Sequence, residues 1–324
     1  MCVNATNFSS RDIYRPATFV IPFYGDQERS VNYLCQAIES LFAQTDQNWV
    51  AVVVDDGSPD GPSKEYLLSL EKNTQKIKIL WQRVNRGPGL CRNIAIHWAF
   101  ERQSPIVLFQ DSDDISHPDR LKVTREIFAE YPTVDLVYSG FRAIDENNHF
   151  VPPECITPSI LEILEAIAKN PPEGYNAWIK IGTEAGFVCL PSATAVRTSI
   201  AHQCPFPDVR ASGDSYTWMS IAASGNEFKF TPLVPSFYRV RTHEAGASQR
   251  ARLGRKNYYQ EKARVDTDGF LHAMTIALTR GTLSPEHTQE LKTKFFQRLA
   301  KTLIREEEFE LAEQILQKHH LSRD

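Results

Sequence analysis

The chain is most easily placed by what it lacks. No apolar run approaches the roughly 20 residues a membrane-crossing helix needs, and the N-terminus has no apolar core of a signal peptide. The expectation is a soluble, cytoplasmic protein, with peripheral attachment at the inner face of the cell membrane as the one membrane association left open. None of the six cysteines (Cys2, Cys35, Cys91, Cys155, Cys189, Cys204) stands in a C-x-x-C pair, which argues against a zinc site. Cys35 and Cys91 fall inside helix-like patterns, where a free buried thiol is the default, so a reducing compartment is expected. Asn4-Ala5-Thr6 and Asn7-Phe8-Ser9 match glycosylation acceptors, but without a secretion signal they carry no weight. The formal net charge is -4, with no general basic field to hold nucleic acid. Any bound anion must therefore be neutralised locally, by a metal or a few arginines. Internal repeats and low-complexity segments are also missing.

What is present in the 324 residues is enough chain for a sizeable core and one conspicuous juxtaposition. Ile106-Val107-Leu108-Phe109-Gln110 reads as a buried strand, and Asp111-Ser112-Asp113-Asp114 follows it at once. Crowded carboxylates repel and shift one another's proton affinity unless a cation joins them. Oxygen clusters suit Mg²⁺ or Mn²⁺, and such an ion is commonly completed by substrate phosphates. The competing reading is a polar turn in which Asp114 or Ser116 caps the helix begun by His117-Pro118-Asp119-Arg120-Leu121. Capping accounts for one acid and not for three.

The first half alternates strand and helix signals. Thr18 to Pro22, Trp49 to Val54, Ile77 to Trp81 and Ile106 to Gln110 read as strands. Val31 to Gln44, the segment opened by Gly61-Pro62, and Gly89 to Phe100 read as helices. Alternation with uncharged strands implies a parallel sheet covered on both faces. Ligands of such sheets collect beyond the C-terminal ends of the strands. Tyr24-Gly25-Asp26, Asp55-Asp56-Gly57-Ser58 and Asp111-Ser112-Asp113-Asp114 would therefore share one rim. Gly87-Pro88-Gly89 is not a dinucleotide fingerprint, because position 92 is Arg and the segment follows the third strand. It is instead a loop flanked by Arg86 and Arg92, either of which can approach a diphosphate or pair with a carboxylate. From Val134 the pattern becomes mixed. It comprises a strand to Tyr138, a hairpin-like stretch Phe141 to Val151, a proline-rich loop–helix–loop, a helix Gly213 to Ala223 and a strand Phe237 to Arg241. The tail reads as helices only (Phe270 to Arg280, Glu286 to Arg305, Glu307 to His319), and its charges read as solvated faces.

Taken in order, Phe19-Val20-Ile21-Pro22-Phe23-Tyr24, Ser40-Leu41-Phe42-Ala43-Gln44-Thr45, Val54-Asp55-Asp56-Gly57-Ser58, Asn85 to Asn93, Asp111-Ser112-Asp113-Asp114, Pro118-Asp119-Arg120-Leu121 and Gly213-Asp214 with Trp218 resemble glycosyltransferase family 2. The resemblance covers residues 17–249. It implies an α/β protein built on a GT-A type nucleotide-binding sheet with helices on both faces and acceptor-side insertions. Residues 17–140 would form the nucleotide-sugar half, 141–249 the acceptor half, and 250–324 a C-terminal helical extension that packs on the domain, forms a homodimer or docks on a membrane-associated partner.

The resemblance also assigns roles. Asp56 would accept a hydrogen bond from the nucleotide base, and Pro22 and Tyr24 would lie against the nucleotide. Arg86 and Arg92 would approach the diphosphate or base, and Asp111 would lie near the ribose. Asp113 would hold Mn²⁺ or Mg²⁺, with His243 reaching the metal or diphosphate. Asp214 would take the proton from the acceptor hydroxyl, although Gly213 stands where the family usually has an acid; otherwise Asp214 is a helix N-cap. Residues 182–195 would line the acceptor pocket, with Trp178, Phe187 and Trp218 facing sugars or the core.

The implied activity is metal-dependent, inverting transfer from a nucleoside-diphosphate sugar to a glycan or lipid-linked saccharide. UDP is the first expectation for the nucleotide, with GDP or dTDP next. The alternatives are a nucleotidyltransferase or retaining transferase on a similar sheet, and a non-catalytic subunit binding nucleotide-sugar or glycan.

Overall fold

The computed structural model describes residues 12–240 and 252–322. The chain runs β1 (Ala17–Phe23), α1 (Glu28–Phe42), β2 (Trp49–Asp55), α2 (Pro62–Asn73), β3 (Ile77–Trp81), α3 (Pro88–Glu101), β4 (Ile106–Phe109), α4 (Arg120–Glu130) and β5 (Val134–Ile144). It continues through α5 (Pro158–Lys169), β6 (Gly174–Tyr175), α6 (Ala177–Lys180), β7 (Thr194–Arg197), α7 (Thr198–Gln203), α8 (Gly213–Ser224) and β8 (Glu227–Arg239). Three helices close it: α9 (Arg255–Thr279), α10 (Thr288–Arg305) and α11 (Phe309–Lys318).

The strands form one eight-stranded sheet in the order β3-β2-β1-β4-β7-β5-β8-β6. β3, β2, β1 and β4 are mutually parallel. The short β7 runs antiparallel between β4 and β5, and β5 pairs in parallel with β8. β2 is rich in valine and almost wholly buried because helices cover both faces. Alternation along β1 divides the core. Phe19 and Ile21 join Leu34, Ile38 and Leu41 of α1 and Leu121 and Phe128 of α4 on one face. Val20 joins Val52, Val54, Val107 and Phe109 on the other.

That second layer reaches into the tail. Phe270 of α9 stacks on Phe295 of α10 at 4.3 Å and tilts against Trp178 at 5.4 Å. Arg298 Nε donates to the carbonyl of Gly182 at 2.9 Å, and Arg280 Nη1 donates to those of Ala223 and Gly225 at 2.6 and 2.8 Å. The apolar faces of α9 and α10 are thus covered by this chain's own sheet-side helices. Among the described residues no helix is long and apolar enough to cross a membrane.

Three elements differ from the sequence expectations. α9 begins at Arg255, well before Phe270, because charged positions in its first half pair inside the protein; Lys262 and Asp266 lie 2.6 Å apart and are largely buried. β8 starts at Glu227 rather than Phe237. Its prolines, Pro232 and Pro235, fall in the register shift between the pairs Ser139↔Thr231 and Phe141↔Ser236, where no ladder N–H is required. β5 runs on to Ile144, so the expected hairpin shrinks to a turn at 145–148, with Asn148 at φ 69°, and a single bridge from Ile144 to Phe150.

Candidate active site

β2, β1 and β4 are adjacent and parallel, so their C-terminal ends share one rim. Pro22 sits inside β1, opposite Val54, and does not terminate the strand. β4 has already ended at Phe109, which pairs with Val20, so the missing N–H of Pro22 costs no ladder bond. Tyr24 follows β1, half-buried. The Arg252 guanidinium lies 5.7 Å over its ring and pairs with Asp26 at 2.9 Å. Gly25 N–H donates to Ser58 Oγ at 2.8 Å, and Ser63 Oγ–H to Gly25 O at 3.1 Å. Ser58 is therefore a strut between the first two loops.

The two acids after β2 divide the work. Asp55, the last residue of the strand, is fully buried and receives the Ser58 N–H on both oxygens at 3.3 Å. Burial pushes its carboxyl up, partly offset by Ser58 and Lys64. Asp56 is also buried. Its Oδ1 accepts from Arg86 N at 2.8 Å and its Oδ2 from Gly87 N at 2.7 Å. It therefore fixes the loop that opens α3, with the Cys91 thiol as a further partner, and a carboxylate has acceptor capacity beyond these contacts. Arg210 clamps the far side of that loop, with Nη1 on Asn85 Oδ1 at 3.0 Å and Nη2 on Asn85 O at 3.2 Å. The Arg86 side chain is exposed and meets Asp208 at 3.3 Å.

One turn into α3, buried Arg92 donates through Nη2 to Asp111 Oδ1 at 2.6 Å, while its Nε is buried with no partner. Asp111 is further held by its backbone N–H on Ser192 Oγ at 2.9 Å. Asp214 lies in the first turn of α8, where the helix dipole favours a carboxylate. Burial pushes its carboxyl up; Arg92 pulls it back and Asp111 adds to the rise. The three groups thus share one field. Asp214 does not cap α8: Ser212 holds that position, and Asp214 Oδ1 accepts from Ser215 N at 3.0 Å.

Beneath the acidic turn, Asp114 is buried, with Oδ1 accepting from Arg239 N at 2.8 Å and Oδ2 left unpartnered. Burial, then Asp113 and Asp111, push its carboxyl well up. Neither Asp114 nor Ser116 caps α4, whose N-cap position is Asp119. Two arginines that sequence reasoning had not assigned to this turn hold it in place. Arg239 Nε donates to Asp113 O at 2.7 Å, while its other nitrogens reach Asp145 O at 2.6 Å, Gln36 Oε1 at 2.9 Å and Asn148 Oδ1 at 2.8 Å. Arg120, fully buried, donates to Phe109 O at 2.8 Å and Thr194 O at 3.0 Å. The sequence signals were weak: Arg239 stands between an aromatic and a β-branched residue, and Arg120 lies within Pro118-Asp119-Arg120-Leu121 with no role assigned to it.

A divalent cation fits this donor set in part. Burial and the neighbouring Asp113 and Asp111 push the Asp114 carboxyl up, and one of its buried oxygens has no partner, which a cation would relieve. Arg92 already engages Asp111. No group of three potential ligands is assembled among the described residues, so phosphate oxygens would have to complete the coordination. His243 and Arg241 lie outside the described residues. Trp218 and Trp178 are core: Trp218 Nε1 donates to Cys189 O at 2.7 Å, and neither ring is exposed to a sugar. Phe187 is half-buried.

A parallel sheet with acids at its C-terminal rim and one antiparallel strand in the middle is the GT-A fold. The sequence profile described as Glycosyl transferase family 2 matches residues 18–190, more than half of the chain, and the chain belongs to that family. It is 26% identical over 212 residues to the Escherichia coli protein UDP-Glc:alpha-D-GlcNAc-diphosphoundecaprenol beta-1,3-glucosyltransferase WfgD, covering 64% of this chain and 70% of that one. The alignments span only 20% of the length of the first curated relatives, uncharacterized glycosyltransferases of Rickettsia felis and Rickettsia conorii. Among solved structures, Staphylococcus aureus TarS 1-349 in complex with UDP-GlcNAc superposes with a TM-score of 0.54 at 18% identity, covering 89% of this chain and 81% of that one. A mannosyltransferase from Pyrobaculum calidifontis in complex with GDP-Man and Mn²⁺ gives 0.51 at 16% identity, covering 95% and 76%.

Proposed function

We propose that this protein transfers a sugar from a nucleoside-diphosphate sugar, UDP-linked in the first instance, to a hydroxyl of a glycan or lipid-linked saccharide, with inversion at the anomeric carbon. The observation that carries this is the convergence of Arg92, Asp111 and Asp214 beside the Asp56 loop at one rim of the sheet. The donor and acceptor classes rest on WfgD, named for a UDP-glucose donor and a diphosphoundecaprenol acceptor, and on the UDP-GlcNAc complex of TarS. A lipid-linked acceptor fits work in the cytoplasm at the inner membrane face.

Asp56 accepts the imide N–H of the base on a lone pair the loop leaves open. Pro22 and Tyr24 form the floor under the nucleotide. Arg92 and Arg86 supply positive charge to the diphosphate, and Asp111 orients the ribose. Asp113, with His243 outside the described residues, would hold Mn²⁺ or Mg²⁺, which would supply positive charge to the departing diphosphate. Asp214 removes the acceptor hydroxyl proton as that oxygen bonds to the anomeric carbon and the bond to the diphosphate breaks on the opposite face. A raised proton affinity suits a general base that must take up a proton.

The test is to incubate the protein with labelled UDP-, GDP- and dTDP-sugars, a panel of saccharide acceptors and Mn²⁺ or Mg²⁺, and to measure released nucleoside diphosphate. Asp214→Asn is expected to abolish transfer with nucleotide affinity nearly unchanged. Undiminished turnover in that variant would remove Asp214 from the mechanism.

A further inference from the structure

Ser212 is a non-glycine residue in the left-handed region, at φ 58° and ψ 17°, immediately before α8 and two residues ahead of Asp214. Serine does not adopt that conformation without support. The support comes from the C-terminal extension: Ser212 Oγ–H donates to Asp266 Oδ1 at 2.7 Å. Asp266 is in turn fixed from within α9, where Lys262 Nζ lies 2.6 Å from Oδ2, with the two side chains only 15% and 4% exposed. A buried ion pair gives modest net stability but sets a position firmly.

The grip has two further points on the same helix. Three residues along from Asp266, Gly269 lets α9 approach the backbone of Tyr216, and a Cβ there would stand 2.8 Å from Tyr216 Cα. Toward the start of the helix, before Lys262, Glu261 Oε1 accepts the Arg210 N–H at 2.7 Å. Arg210 is also the residue that clamps Asn85 beside the loop bound by Asp56. α9 therefore holds the segment 210–216 at both ends and, through Arg210, touches the donor-side loop.

We infer that Asp266 is a positioning residue for the transfer reaction. Through Ser212 it sets the start of α8 so that the Asp214 carboxylate faces the acceptor, which makes the C-terminal helices part of the active-site framework. This rests on reading Asp214 as the general base. Displacing such a base by about 1 Å costs on the order of 100-fold in rate.

The test uses the full chain. Ser212→Gly keeps the left-handed conformation available and deletes the hydroxyl. Its kcat is expected to fall about 10- to 100-fold, with the acceptor KM, the UDP affinity by calorimetry and the melting temperature close to wild type. Ser212→Asn, which tolerates the same φ and offers an amide N–H to Asp266, is expected to restore kcat to within a few-fold. Lys262→Met/Asp266→Ala removes both charges of the ion pair together and should lower kcat as Ser212→Gly does, and combining the two changes should add nothing further. If Ser212→Gly retains wild-type kcat while Asp214→Asn is inactive, the positioning role is wrong and the base stands. If Ser212→Gly loses kcat, UDP affinity and melting temperature together, the contact is only structural and the inference is overturned. Full activity of Asp214→Asn would instead sink the base reading on which both depend.

Discussion

The guanidinium of Arg92 lies 2.6 Å from the carboxylate of Asp111 and also pulls down the proton affinity of Asp214. One cation from the first turns of α3 thus pairs with one rim acid and holds down the carboxyl of the candidate base. Both acids come from other elements, the end of β4 and the start of α8.

That relationship fixes a pH response. Burial raises the Asp214 carboxyl above its ordinary value of 3.8. The protonated form is therefore favoured by folding: its contribution to stability is present at low pH and fades as the pH rises through the folded-state value. Activity runs the other way, because the base must be deprotonated. The acid limb of kcat/KM is expected above the ordinary carboxylate range. In Arg92→Met the opposing charge is gone, so the limb moves to higher pH. A kcat/KM profile from about pH 4 to 8 reads this directly, and a limb that stays put or moves down contradicts it.

Asp56 gives a prediction on binding and stability together. In Asp56→Asn the amide nitrogen replaces one of the two oxygens that receive Arg86 N–H and Gly87 N–H. One backbone donor then loses its acceptor, at a cost of about 1–3 kcal/mol. The melting temperature should fall, and UDP affinity by calorimetry should fall further than in a surface control, because both the base contact and the loop are lost. Unchanged affinity with a lowered melting temperature would make Asp56 a loop anchor alone.

Arg239 is the residue on which the acidic turn rests most visibly. Arg239→Met removes donors from the carbonyls of Asp113 and Asp145 and from the side chains of Gln36 and Asn148. Loss of about 2–4 kcal/mol is expected, read as a lower denaturation midpoint with an unchanged slope. A stability within error of wild type would show that the turn holds itself.

These residues also mark how far the sequence could be read. β2 was legible because an uncharged, valine-rich run can only be a strand buried on both faces. The acids after β4 stood out as a crowd of three at the end of an uncharged strand, and the structure gives two of them partners within the fold, Arg92 for Asp111 and the Arg239 N–H for Asp114. Asp56 as a ligand for its own loop was not legible, since both donors lie some thirty residues away in backbone N–H groups that no side-chain pattern reveals. Arg239 and Arg120 were missed for the same reason: their partners are mostly carbonyls brought together by the sheet. The start of α9 was hidden by charge, because Lys262 and Asp266 neutralise each other indoors while a helical wheel assigns them to solvent. Ser212 carried no signal at all, since a left-handed φ is a property of the fold.

The close fit of the helical extension to the sheet side yields a last prediction. Gly182 follows α6, and a Cβ added there would stand 2.3 Å from Phe270 Cδ2, a contact no rotamer of a single methyl can avoid. Phe270 is itself fixed between Trp178 and Phe295, so it has little room to retreat in a close-packed interior. Gly182→Ala is expected to cost about 1–3 kcal/mol by overpacking. Gly140→Ala is the matched control, because nothing lies within 4 Å of the added carbon and its φ is not left-handed; it should stay within about 0.5 kcal/mol of wild type. Thermal melts of the two variants separate the outcomes. If Gly182→Ala melts with wild type, α9 yields easily and the extension is only loosely seated. If it melts early in a single transition, the helices and the sheet unfold as one unit, as their shared core requires.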